Sequence, residues 1–184
     1  MLPNILTLSR IFVIPIIVLC FFIENTKARY CAAILYVLAC LTDFLDGYLA
    51  RQWHQISSFG KFCDPVADKV LVSITLLMLA GFHVVSGIHL IAACVILARE
   101  VLVSGLRSYL GQIQKILPVT KYSKWKTAIQ MVSISLLLVY FASEDSIVRF
   151  WGIISLWLAA CLTGFTGYRY MRRGFKYIAF TDSK

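Results

Sequence analysis

Six apolar runs, at roughly 5–24, 30–50, 66–86, 88–108, 126–143 and 147–168, constrain this chain more than any other feature. Each is near the ~20 residues that a helix needs to cross a bilayer's hydrocarbon core. In that core every backbone N–H and C=O must be satisfied internally, so such runs are read as spanning helices. Core helices of a soluble domain explain one or two such runs, but not six. Composition agrees: 60% of the residues are hydrophobic and 15% are charged, against about 45–50% and about 25% in soluble domains. The predicted fold class is an all-α integral membrane protein, one domain over residues 1–184, with six transmembrane helices. MLPNILTLSR, where Ser9 and Arg10 interrupt the apolar pattern, fits a short N-terminal interfacial helix leading into the first span; periodicity alone favours the plainer alternative, a frayed positive-inside anchor.

A net charge of +9 raises the question of nucleic acid. Its placement answers against that. With six spans, fifteen of the eighteen Lys and Arg fall on one side, and only Lys27, Arg29 and Arg149 fall on the other. By the positive-inside rule both termini are cytoplasmic, and the basic excess serves topology and attraction to anionic membrane lipids. No nucleic-acid partner is expected. The six cysteines are scattered without a CxxC pair, so neither a structural disulfide nor a zinc site is expected. No small-residue cleavage site follows the first span, which is therefore read as retained.

Between the second and third runs lies DFLDGYLARQWHQISSFGKFCDPVAD, residues 43–68, which holds four of the nine acidic residues. Asp43 and Asp46 are three apart and Asp64 and Asp68 four apart, so on helices each pair shares a face. Carboxylates at membrane depth are costly and face a cavity or a partner. Four together call for divalent cations, and oxygen ligands suit Mg²⁺ or Mn²⁺. A two-metal site of this kind stabilises attacking and leaving oxygens in phosphoryl displacement. Asp64 and Pro65 suit the N-cap and first position of a helix, with Gly60 as a turn in the loop before it. Lys69 either balances charge or snorkels outward. Arg99, Glu100 and Arg107 are intramembrane charges, and such groups are functional candidates. Arg99 and Glu100, being adjacent, are expected to point in different directions. Arg107 and Lys126 bracket the basic loop GQIQKILPVTKYSKWK and are placed to hold a phosphate.

The series Asp43, Asp46-Gly47, Ala50-Arg51, Gly60, Asp64 and Asp68 resembles the signature of the CDP-alcohol phosphatidyltransferases. That signature reads D-x2-D-G-x2-A-R, about eight residues, then G-x3-D-x3-D, and all eight fixed positions are present. PNILTLSR, DPVADKVLV, REVLVSGLR and VTKYSKWKTAIQMV extend the resemblance to the subgroup that uses glycerol 3-phosphate as acceptor. Ser108 and Arg169 depart from it, standing where that subgroup often carries an acidic residue.

The resemblance implies six helices around a cytoplasm-facing cavity, a homodimer, and transfer of a phosphatidyl group from CDP-diacylglycerol with release of CMP. Asp43, Asp46 and Asp64 would hold one Mg²⁺ or Mn²⁺, and Asp43, Asp64 and Asp68 the second, with Asp68 as general base. Gly47, Ala50, Arg51 and Gly60 would accommodate the cytidine nucleotide, bordered by Asn4 and Thr7. Arg107 and Lys126, with Arg99, Lys121 and Arg169, would hold the acceptor phosphate. The compact chain without a targeting extension fits a bacterial plasma (inner) membrane. Two other functions are weighed: a cardiolipin synthase of the same family, and, from a different class, a divalent-cation transporter.

Overall fold

A computed structural model describes the backbone of residues 2–53, 58–112 and 122–181, and the side chains of residues 9–43, 66–111 and 125–174. Within these residues the chain is all-helical: α1 (Leu2–Phe22), α2 (Thr26–Trp53), α3 (Ser58–Gly81), α4 (His89–Gln112), α5 (Tyr122–Ser143) and α6 (Ser146–Thr181). Packing runs in a ring, α1 on α2, α2 on α5, α5 on α6, α6 on α4, α4 on α3 and α3 back on α1, with α3 and α5 also touching across it.

Short polar connectors end the helices by recognisable means. Asn25 caps α2, its Oδ1 accepting from Lys27 N at 2.9 Å, and Asp145 caps α6 through Ile147 N at 2.8 Å; both are side-chain oxygens meeting otherwise unpaired N–H groups. Glu144 closes α5 in the left-handed region, with φ of 57°. The Arg29 guanidinium steadies that corner, donating to the Phe141 carbonyl at 3.2 Å and to Glu144 at 3.1 Å.

The molecule is apolar outside and selectively polar inside. Phe12, Leu19, Leu38, Val101, Trp151 and Phe165 are exposed, whereas Arg10, Thr75, Glu100, Lys126, Gln130 and Ser133 are buried. An aqueous fold sorts residues the other way; an outward apolar surface suits lipid. His89–Gly111, Trp125–Ser143 and Ser146–Gly174 are each long and apolar enough to cross a membrane, and Ser9–Phe22 is a shorter apolar stretch. The chain is a membrane protein. At one end of the ring Phe21 stacks on Phe141 at 4.9 Å and tilts against Phe82 at 5.3 Å. The buried charges gather at the other end.

Three local expectations are corrected. No separate interfacial helix precedes the first span; α1 runs unbroken from Leu2 through Phe22. Arg10 does not interrupt it, because its side chain turns inward, 2% exposed, and pairs with Asp43. Second, Gly60 and Asp64-Pro65 do not form a turn and a cap, since α3 already begins at Ser58. Phe59, Phe62, Cys63 and Val66 carry a helical apolar spacing through that segment. Third, α6 continues beyond Tyr168 to Thr181, because the apolar run marks the bilayer's thickness, not the helix's end.

Candidate active site

Antiparallel packing brings the end of α2, the early turns of α3, the latter half of α4 and the start of α5 to one end of the ring. Asp43 comes from α2, and Arg10 from α1 meets it in an ion pair. Asp68 comes from α3. Among the described residues, Asp43 and Glu100 are the carboxylates that act on Asp68 electrostatically, and Arg10 and Lys126 are the cations. Asp68 is half-buried, and its Oδ1 is fully shielded without a hydrogen-bond donor among the described residues. A shielded carboxylate oxygen is costly to leave unsatisfied, and with Asp43 as neighbour the chemistry fits a divalent cation.

Asp68 also opens into a cavity of about 140 Å³ between α3, α4 and α5. Its cationic wall is Lys69, Arg99, Arg107 and Lys126; Glu100, Ser104 and Thr127 complete its polar lining. Lys126 is 3% exposed and donates to Glu100 Oε1. Arg99 Nη1 donates to the same oxygen at 3.1 Å. Adjacent positions on α4 were expected to diverge, but both side chains are long enough to converge beyond their Cβ atoms. Lys69, whose role was open between charge balance and snorkelling, turns across to α4 and donates to Ser104 Oγ at 2.7 Å.

Room for Arg99 comes from α6. A Cβ on Gly167 would lie 2.6 Å from Arg99 Cγ, so only glycine lets that stem lie against the helix. Arg107 is exposed at the cavity's rim, with its guanidinium 5.9 Å from the Tyr170 ring centre.

Thus the structure joins Asp68 with Arg99, Arg107 and Lys126, and sets Asp43 beside them. It does not bring Arg169 there: that residue is exposed on α6 with its guanidinium 5.6 Å from the Phe165 ring centre. Asp46, Gly47, Ala50 and Arg51 continue α2 beyond Asp43, and Gly60 and Asp64 precede Asp68 on α3. Asn4 and Thr7 lie on α1. The side chains of all these lie outside the described residues, as does Lys121 altogether. Sequence reasoning missed Glu100 as the partner of two cations, Lys69 as a cavity residue and Arg10 as the partner of Asp43. For Arg10 a signal was present, since an arginine within an apolar helix demands a counter-charge.

Residues 1–165 match the CDP-alcohol phosphatidyltransferase family, and the chain belongs to that family. Among its relatives is the CDP-diacylglycerol–glycerol-3-phosphate 3-phosphatidyltransferase of Rickettsia felis, 44% identical with 96% of each chain covered. The protein of the same name from Rickettsia typhi is 45% identical over 93% of this chain and 95% of its own. That of Cereibacter sphaeroides is 35% identical, again with 96% of each covered.

Proposed function

We propose that this protein transfers the phosphatidyl group of CDP-diacylglycerol to glycerol 3-phosphate, giving phosphatidylglycerophosphate and CMP. The observation that carries this reading is the single cavity in which Asp68 faces Arg99, Arg107 and Lys126. It sets a candidate proton acceptor beside an anion site, which is what a phosphorylated alcohol requires. Near-full-length similarity to relatives bearing that activity in their names supports the same acceptor.

In this account Arg99, Arg107 and Lys126 hold the acceptor's phosphate by charge-assisted hydrogen bonds, the stronger class of such contacts. Asp68 takes the proton of the acceptor hydroxyl. The new bond joins that oxygen to the lipid-linked phosphorus, and the bond between that phosphorus and the CMP oxygen breaks. Gly47, Ala50, Arg51 and Gly60, with Asn4 and Thr7, border the nucleotide. Asp43, Asp46, Asp64 and Asp68 would hold two divalent cations, Mg²⁺ or Mn²⁺, which supply charge neutralisation at the donor's pyrophosphate. All six helices cross the bilayer, both termini and the site face the cytoplasm at the plasma membrane, and the protein acts as a homodimer.

Purified protein incubated with CDP-diacylglycerol, Mg²⁺ or Mn²⁺ and a panel of acceptors tests the reading. CMP release only with glycerol 3-phosphate is expected, and chelation of the metal should stop it. Release with phosphatidylglycerol instead identifies a cardiolipin synthase. Metal flux across vesicles without CMP release identifies a transporter.

A further inference from the structure

Glu100 is out of place in a cavity meant for an anion, because a carboxylate there repels a phosphate. Its burial, at 9% exposed, makes it costlier still. Its contacts explain its presence. One oxygen, Oε1, accepts from Arg99 Nη1 and from Lys126 Nζ. Arg99 belongs to α4 and Lys126 to α5, helices that each pack on α3 and α6, with no broad packing on one another among the described residues. The two cations therefore meet through Glu100, and without it they would face each other at low dielectric and repel.

Donors remain after Glu100 is served. A lysine ammonium has three N–H groups and a guanidinium five, so one contact from each leaves most of them for a ligand. Arg99 Nε in particular is buried with no acceptor among the described residues.

We propose that Glu100 is the positioning residue of the acceptor-phosphate site. It holds Arg99 and Lys126 together from two helices so that both present free N–H donors to one phosphate monoester. This role rests on the glycerol 3-phosphate reading above and adds the residue that sets the site's geometry.

The test uses the full chain in detergent–lipid micelles, with CMP release followed separately against glycerol 3-phosphate and CDP-diacylglycerol. Glu100→Ala should raise the KM for glycerol 3-phosphate about tenfold or more, the equivalent of one lost charge-assisted hydrogen bond. The KM for CDP-diacylglycerol should stay within about twofold, as for an independent site. Glu100→Gln, equal in size and still an acceptor, should recover part of the loss. It also reads the effect should the alanine variant fold poorly. Added to Lys126→Ala, Glu100→Ala should cost less than it costs alone, because it acts through that lysine. The proposal is overturned by a wild-type KM for glycerol 3-phosphate in both Glu100 variants. A fall in kcat alone, or full additivity with Lys126→Ala, overturns it equally. Wild-type protein that releases no CMP with glycerol 3-phosphate would instead overturn the activity itself, and this role with it.

Discussion

Replacing Gly167 with alanine places a methyl group 2.6 Å from Arg99 Cγ, where ordinary contact begins at 3.4 Å, a shortfall of 0.8 Å. The clash falls on the stem of the side chain, with Cβ and Nε also within 4 Å, so rotation of the far end alone does not relieve it. Arg99 Nη1 already reaches Glu100 Oε1 at 3.1 Å, the long side of a charge-assisted bond. A retreat of that size breaks it. Overpacking of this kind costs about 1–3 kcal/mol of stability, and the lost bond about 1.5–3 kcal/mol where it acts. Taking the lower figure for the bond, the KM for glycerol 3-phosphate should rise roughly tenfold. Initial rates of CMP release at saturating CDP-diacylglycerol measure this, with thermal unfolding in detergent as the second readout. Gly164→Ala is the matched control, one turn away on α6 and facing α4, where the added methyl meets Val95 Cγ1 at an ordinary 3.7 Å. It should be neutral or slightly stabilising. If the two variants share one KM and one unfolding temperature, the claim that Gly167 makes room for Arg99 is refuted.

Arg107→Ala should raise the KM for glycerol 3-phosphate about tenfold, more than that for the lipid donor; wild-type values for both would remove Arg107 from the acceptor site. Arg10→Met breaks a buried pair with Asp43 and should cost about 3 kcal/mol, the lower end for such a loss, because the Asp43 side chain is 33% exposed. Thermal unfolding in detergent checks it, and an unchanged transition would contradict the pairing. At the opposite end, Arg29→Ala should lower the unfolding temperature by loss of its contacts to Phe141 and Glu144. Since the residue is partly exposed, about 1 kcal/mol is expected, with no change in either KM.

Hydropathy located the helices well, because a break in the apolar pattern, as at Glu24 and Asn25 between α1 and α2, is also a break in the helix. It misjudged ends where a helix leaves the apolar zone. At Ser58–Pro65 and beyond Tyr168, backbone hydrogen bonding continues although the residues are no longer uniformly apolar. The same distinction governs the candidate site. Asp43 and Asp68 were legible from spacing, and Arg99, Arg107 and Lys126 from charge set in or beside apolar runs. The pairings were not. Glu100 with Lys126, Lys69 with Ser104 and Arg10 with Asp43 all cross between helices. Such contacts depend on helix rotation and packing order, which local periodicity does not encode. Gly167 was invisible for the same reason, since its value lies in what faces it.

Asp68→Asn bears most directly on the central claim, that the shielded carboxylate facing the basic cavity receives the acceptor's proton. Asparagine keeps the size and one oxygen but is no base. CMP release with glycerol 3-phosphate should fall to background, while binding of CDP-diacylglycerol, followed by equilibrium binding of labelled lipid, largely survives. CMP release near the wild-type rate in Asp68→Asn would contradict the account.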